Sequence, residues 1–582
     1  MGSVMLIQWM KPSKIKIHSL LLATVTCLLI LTTLVVKEMD LFGIPLVFAF
    51  AILFEILLVI LFLYELINVL RHPLKILGSI LLSGFRGMFQ DPYVIKAQEK
   101  YPHLIPAVRK LFLSERPAAL TLTLGLIISL LFFSFFLSLG SKVLSKAPSI
   151  VVDERILNLI PDIRTPHQSD FFSVVTFLMN WQSILFIAVL IISYLIYKRQ
   201  RFTALLFAGM MLLGGLSDFI FKHLFGRVRP DESLSLISET THSFPSGHAF
   251  FATLIFGFLT YFFTRSSRHP LLKFFLFLFS IITISIVSLS RVYMGVHYPT
   301  DLLAGILLGF SLLALAITLA EVNRKYAFFE HFESKFFHFF RDTKGVPLRG
   351  LVAAPFLLLL FSLAFHTSFI HLRTIQTDDL TKTIQTLDLE TINQLTKYTE
   401  SLRGHRVEPV SFIFIGTQQK LEASFQEKGW YKADQATVSN GLKALSAAFK
   451  NESYNTGTVT PAYFDTQPQT FAFQRSDKKG TFRERHHIRL WKTEYELPEG
   501  QSIWVGTASF DTGLKFSNTL LLTHKIDPNI DAERAYILKS LGLNDLKYIQ
   551  MVKPQLGLNA FGDQFFTDGK AAIVDLSKQE GF

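Results

Sequence analysis

Three short polar clusters lie between residues 222 and 301, each at the end of an apolar run. The first holds Lys222, Arg229 and Pro230; the second is Pro245-Ser246-Gly247-His248; the third holds Ser290, Arg291, His297 and Asp301. Ionisable groups beside a bilayer are costly unless paired, hydrated or functional. Three cations, two imidazoles and one carboxylate meet the needs of phosphoryl transfer without a metal. Those needs are charge stabilisation on the equatorial oxygens, a nucleophile, and a proton for the leaving oxygen.

Lys222, Arg229 and Arg291 supply the charge, and the two arginines can grip phosphate oxygens in a fork. Ser246 and Gly247 stand where an apolar helix begins, so free backbone N–H groups and the positive helix end favour an anion there. Gly247 lets backbone approach the phosphate closely. His297 is the better nucleophile candidate. Asp301 can accept the proton on one ring nitrogen and leave the other free to attack. Pro299 disfavours helix through His297 and suits the first turn of the next span, so His297 should project from a loop above Asp301. His248 is left as general acid.

The elements that must position these residues are membrane helices. Of 582 residues half are hydrophobic, and long apolar runs recur from residue 18 to residue 372. About nine transmembrane helices are expected, at 18–36, 42–64, 117–139, 174–197, 203–222, 248–264, 271–290, 301–320 and 350–371. The first follows Lys11, Lys14 and Lys16 without a small-residue cleavage site, and reads as a retained signal anchor. With alternating spans the basic loops all fall on one side. These carry Arg71 to Arg116, Lys198 to Arg201, Arg265 and Arg268, and Arg324 to Arg349. The N-terminus is then cytoplasmic, and the three clusters and the C-terminal domain are extracytoplasmic. A partly apolar stretch at 78–106 reads as amphipathic surface helix, with a re-entrant segment as the alternative.

The net charge of +12 reflects this loop asymmetry. No basic stripe with interleaved aromatics points to nucleic acid. Cys27, the single cysteine, excludes an intrachain disulfide and a thiolate metal site. The expected architecture is an all-α polytopic membrane domain followed by a soluble α+β domain. Its parts are 1–116 (two spans and the amphipathic segment), 117–320 (a six-helix core), 321–372 (a cytoplasmic loop and the ninth span), 373–408 (a helical linker) and 409–582. In the last part, 410–415, 470–473, 486–491 and 503–505 read as strands, and 418–428, 437–450 and 531–541 as helices. His487, Arg489 and Trp491 share one strand face, which reads as an anion or sugar pocket or, more simply, as a half-exposed face. His524, Asp527, Asp531 and Glu533 could ligate a cation, although acidic residues at a helix N-terminus explain them more simply.

The pattern Lys-x6-Arg-Pro, Pro-Ser-Gly-His, Ser-Arg-x5-His-x3-Asp resembles the type 2 phosphatidic acid phosphatase and vanadium haloperoxidase superfamily. All eleven specified residues, from Lys222 to Asp301, are present in order. The resemblance implies a six-helix core over about 117–320, a phosphohistidine at His297, acid catalysis by His248, and no metal or other cofactor. It points to a lipid phosphatase or diphosphatase of the bacterial inner membrane. Undecaprenyl pyrophosphate is favoured as substrate, with phosphatidylglycerophosphate, phosphatidate and lipid A phosphates next. A vanadate-dependent haloperoxidase is the alternative within the superfamily, disfavoured by the membrane spans. The C-terminal part resembles LssY-type C-terminal domains through Gly429-Trp430, the run from Arg485 to Trp491, His524 to Pro528 with Asp531 to Arg534, and Phe566 to Gly569. That resemblance transfers no activity. An envelope partner or glycan for this domain, in a protein acting in binding or assembly, is the competing reading.

Overall fold

A computed structural model describes, apart from a few isolated positions, residues 91–100, 118–326 and 382–577 with short breaks. The spans expected at 18–36, 42–64 and 350–371 lie outside these residues, as do the signal anchor and most of the 78–106 stretch. Within that stretch only the helix α1, Pro92–Lys100, is described as an element.

Among the described residues five helices are long and apolar enough to cross a membrane. They are α2 (Ala118–Leu144), α6 (Arg201–Phe225), α7 (Gly247–Ser266), α8 (Pro270–Tyr293) and α9 (Pro299–Tyr326). Between α2 and α6 lie α3 (Val151–Ile163), α4 (Pro166–Leu178) and α5 (Trp181–Tyr197). The straight span expected over 174–197 is instead the pair α4 and α5, bent by 52°. The break sits at Asn180, whose side chain accepts a hydrogen bond from Ser183 N at 2.9 Å and so starts a new helix. Counted as one crossing, the pair brings the number to six.

Helix contacts use small and hydroxyl residues, as expected where lipid offers no hydrophobic drive for association. Ser129 and Ser311 join α2 to α9 by exchanging side-chain-to-carbonyl bonds of 2.8 and 2.9 Å. At Gly305 an added Cβ would come within 2.5 Å of Ser246 O, so only glycine lets α9 pass this close to the start of α7. A cluster of Phe136, Phe225 and Phe244, with ring centroids 4.8 to 5.9 Å apart, braces the segment entering α7. Phe244 is fully buried there.

The chain divides into two compact units, one containing the membrane helices and one formed largely by residues after 376. The expected core over 117–320 is continuous in sequence, but residues 148–163, with α3, group with the second unit. There the buried Arg155 donates to Ser401 O at 2.9 Å and Leu402 O at 3.1 Å and pairs with Glu400. Asn158 Nδ2 donates to Thr466 O at 3.0 Å.

A nine-stranded mixed sheet organises this unit, in the order 547–550, 570–575, 412–416, 501–516, 484–497, 471–476 and 431–432, with 382–383 and 522–526 at its sides. Strand Phe412–Gly416 is buried at every position, which explains its unbroken apolar run. One face packs Phe414, Ile488, Leu490 and Trp504 against helices α11 (Gln418–Gln426) and α13 (Ile530–Ser540). The helices expected at 418–428, 437–450 and 531–541 are α11, α12 (Val438–Lys450) and α13. The helical linker over 373–408 is corrected. Its described part holds only α10 (Leu389–Gln394) and the strands Lys382–Thr383, Tyr398–Glu400 and Arg406–Pro409. Leu395 and Leu387 face a sheet-covered core with Ile413, Trp491 and Ile503 rather than one side of a long helix.

Candidate active site

Local signals explain why each polar cluster leaves its helix. Gly226, at φ +55°, closes α6 with its N–H on Lys222 O at 3.0 Å, and Arg227 to Pro230 follow in irregular chain. Ser246 is the N-cap of α7, yet its hydroxyl makes no capping bond. Pro299 opens α9 and puts Asp301 in its first turn, with His297 in the segment before it. Gly295, at φ +75°, lets this segment turn under Leu234 O, which an added Cβ would meet at 2.2 Å.

The three clusters converge. His297 Nδ1 lies 3.3 Å from Asp301 Oδ2, while Nε2 lies 3.4 Å from Arg229 Nη1. Both His297 and Asp301 are essentially inaccessible. His248 has Arg291, Lys222 and the His297 ring as neighbours and bonds to the Thr176 backbone. Thr176 Oγ1 in turn meets Ser290 Oγ at 2.9 Å, which ties α4 to the end of α8. Arg229 is held by Val296 O at 2.7 Å and by Thr241 O at 2.5 Å. Lys222 Nζ lies 3.5 Å from both Thr241 Oγ1 and Asp218 Oδ2.

Several buried atoms here have no hydrogen-bond partner among the described residues: Ser246 Oγ, His248 Nε2, and Nε and Nη1 of Arg291. Buried donors without partners are rare, because each bears its full desolvation cost. Gathered beside a His–Asp pair, they form a donor set suited to a tetrahedral oxyanion. Burial pushes the His297 imidazole well below its ordinary pKa, and Arg229, Arg291 and Lys222 push the same way. The ring is therefore neutral at neutral pH, as attack by a nitrogen lone pair requires.

Sequence reasoning missed further polar residues in this site. Arg227 donates to Asp301 Oδ1 and Thr300 Oγ1, each at 2.7 Å. Ser243 donates to Asp301 Oδ2, which Tyr298 N also reaches at 2.9 Å. Glu239 pairs with Arg291 at 2.5 Å and stands 3.8 Å from Arg229. Asp218 pairs with Lys222, and its i,i+4 spacing on α6 was the one signal the sequence offered. A Cβ on Gly247 would stand 3.3 Å from Asp218 Oδ1, so close contact with this carboxylate is a second reason for glycine there.

The second unit offers a different arrangement. His487, Arg489 and Trp491 do share a strand face, but all three are buried, which corrects both the pocket and the half-exposed face. His487 Nε2 meets Ser509 Oγ at 2.9 Å, Arg489 pairs with Glu408 at 3.4 Å, and Arg485 with Asp511 at 2.9 Å. Among the described residues no group of three or more His, Cys, Asp or Glu could hold a metal ion. Asp531 instead accepts from Thr567 Oγ1 and Asp568 N, and Glu533 pairs with His486 at 2.8 Å. Both acidic residues lie in the first turn of α13, capped by Asn529.

Comparison with known proteins agrees with this division. Residues 203–325 match the PAP2 superfamily, and residues 392–571 match the LssY C-terminus family. Phosphatidylglycerophosphatase B of Bacillus subtilis is 30% identical over 187 residues, covering 31% of this chain and 90% of that protein. Undecaprenyl-diphosphatase of Sulfolobus acidocaldarius is 35% identical over 121 residues, 20% of this chain and 54% of that protein. Lipid A 4'-phosphatase of Porphyromonas gingivalis is 27% identical over 173 residues, 27% of this chain and 68% of that protein. A crystal structure of a transmembrane PAP2 type phosphatidylglycerolphosphate phosphatase from Bacillus subtilis is 27% identical. It covers 34% of this chain and 98% of that one, with a TM-score of 0.30. The apolar helices, the converging motifs and the relatives lead to one conclusion: the chain is an integral membrane protein that belongs to the PAP2 superfamily and carries an LssY-type C-terminal domain.

Proposed function

We propose that this protein hydrolyses a phosphate ester or anhydride of a membrane lipid through a phosphohistidine on His297. The lipid tail stays in the bilayer while the headgroup enters the basic site. His297 Nε2 attacks phosphorus, the bond from phosphorus to the leaving oxygen breaks, and His248 gives that oxygen its proton. Water then attacks the phosphohistidine and returns a proton to His248, releasing inorganic phosphate and the neutral His297. Asp301 holds the proton on Nδ1, as the 3.3 Å approach of that nitrogen favours. Lys222, Arg229 and Arg291, with Ser246 and the backbone N–H groups from Gly247 onward, carry the charge of the phosphoryl oxygens. These cations supply that stabilisation without a metal.

The observation that carries this reading is the set of buried polar atoms on Ser246, His248 and Arg291 that have no partner among the described residues, gathered around a neutral histidine. Undecaprenyl pyrophosphate heads the substrates, followed by phosphatidylglycerophosphate, phosphatidate and lipid A phosphates; the names of the three relatives support each of these classes except phosphatidate. The site and the C-terminal domain face the extracytoplasmic side of a bacterial inner membrane. Loop charge supports this. The C-terminal domain serves recruitment of an envelope partner or glycan.

The test is phosphate release by purified protein from a panel of these lipids with chelator present, beside His297→Ala and His248→Ala. Release that survives chelation and is lost in His297→Ala supports the reading. No release from any lipid by folded protein overturns it. Removing residues 373–582 then asks whether the C-terminal domain is needed for turnover.

A further inference from the structure

Two of the three phosphate-gripping cations are already engaged by one carboxylate that belongs to none of the motifs. Glu239 Oε1 accepts from Arg291 Nη2 at 2.5 Å, and Oε2 stands 3.8 Å from Arg229 Nη2. The Arg291 side chain is 1% exposed and that of Glu239 30%. The carboxylate therefore enters from the mouth of the site, on the irregular segment between α6 and α7. Two further nitrogens of Arg291, Nε and Nη1, have no partner among the described residues.

This geometry sets up a competition. Arg229 and Arg291 are buried like charges, and a buried charge left unpaired is strongly destabilising, so an anion must accompany them. A phosphate dianion arriving at the same guanidinium groups meets Glu239 as a like charge, and such juxtaposition is unfavourable. Burial alone would raise the Glu239 pKa, but Arg291 and Arg229 outweigh it and hold the group below the usual carboxylate range, so it stays charged.

We infer that Glu239 is an exchangeable counter-ligand of Arg229 and Arg291. It holds them in the resting enzyme, yields them to the phosphate of the substrate, and takes them back as inorganic phosphate leaves. Glu239 thereby limits product inhibition at some expense in substrate affinity. The inference rests on the phosphatase reading above and adds to it a residue that governs phosphate exchange.

The experiment uses the full chain in detergent, with a lipid phosphate that the wild type hydrolyses. Glu239→Gln keeps the shape and removes the charge. The inhibition constant for inorganic phosphate should fall about tenfold, with a lower KM and no gain in kcat. A brace that merely orients the arginines would give the reverse, a higher KM and weaker phosphate inhibition, and that result overturns the inference. Glu239→Asp keeps the charge but shortens its reach, and should lower the same constant by a smaller factor. Thermal unfolding of each variant identifies loss of fold. If Glu239→Gln does not fold, an unchanged or raised constant in Glu239→Asp overturns the inference. Failure of the wild type to release phosphate from any lipid would sink the phosphatase reading itself. Release with unaltered phosphate inhibition in both variants would sink only the exchange.

Discussion

Arg227 reaches across 74 residues of sequence to place Nη1 2.7 Å from Asp301 Oδ1, in a pair whose carboxylate is wholly buried. The guanidinium also covers the Tyr298 ring at 3.9 Å. Asp301 thus has partners on both oxygens, from Arg227, Ser243, Tyr298 N and His297. What orients the histidine is itself oriented, and Arg227 acts through Asp301 as a positioning residue.

Replacing Arg227 by Leu leaves a buried carboxylate without its cation and should destabilise the protein by about 3–5 kcal/mol. Thermal unfolding in detergent measures this. Combining it with Asp301→Asn should recover much of the stability without recovering activity, since the uncompensated charge is gone while the histidine stays misoriented. Additive losses in the double variant would contradict the pairing.

His248→Ala should lower kcat by about a hundred- to ten-thousand-fold, the usual contribution of a general acid. A substrate whose leaving group needs no proton should escape most of that loss. His297→Ala should abolish turnover of both substrates. Acid-labile phosphate on the protein after a quench, present in wild type and absent in His297→Ala, would report the intermediate directly.

Because burial and three cations hold His297 well below its ordinary pKa of 6.5, the neutral imidazole persists into mild acid. The acidic limb of kcat/KM, which reports groups of the free enzyme, should therefore fall below pH 6.5. A limb above that value would mean that the imidazole is stabilised as a cation.

The C-terminal unit should be labile to acid. Burial holds His487 well below its ordinary value and His524 at about 4, so both are neutral in the folded state at pH 7. Between about pH 4 and 6.5 the unfolded chain binds the extra protons, so stability rises with pH and is lost on acidification. For His524 alone the loss is at most about 3 kcal/mol, less the screening of a ring that is still 23% exposed. Fluorescence of the buried Trp430, Trp491 and Trp504 should shift to the red over this window. His524→Gln should weaken the dependence.

Gly305→Val should strike the site from a distance. A side chain there meets Ser246 O and Phe250 N, at 2.5 and 3.1 Å from the first added carbon. Separating α9 from α7 moves Asp301 relative to Ser246, and misplacement of about 1 Å can cost about a hundredfold in rate. A loss in kcat greater than the loss of stability explains would mark this as positional.

Local rules carried much of the sequence reading. Pro299 and Asp301 mark the start of α9, the residues from Pro245 to His248 mark the start of α7, and the apolar run before Gly416 is a strand buried on both faces. Spacing within each motif marked the candidate groups that the fold brings together, because helix ends and prolines act over only a few residues. The bend at Asn180 was also local, written in a cap residue within an apolar run, but apolar length hid it.

Pairing across the chain was decided by tertiary structure. Nothing near Glu239 in sequence marks it as the partner of Arg291, and nothing near Arg227 points to Asp301. These contacts form only when the segment between α6 and α7 closes over the end of α8 and the start of α9. The strand face with His487 and Arg489 alternates as an exposed strand would, yet the structure covers it and pairs its charges. The apolar positions Ile384, Leu387, Leu395 and Leu402 keep a spacing that suits a helix, but they lie in the connections around short strands and one short helix. Sequence order determined which groups were available and which face of the membrane the charge pattern favours. Burial, which sets both the cost of an unpaired charge and the partner that relieves it, depends on the packing of distant segments, and only the folded chain supplies that.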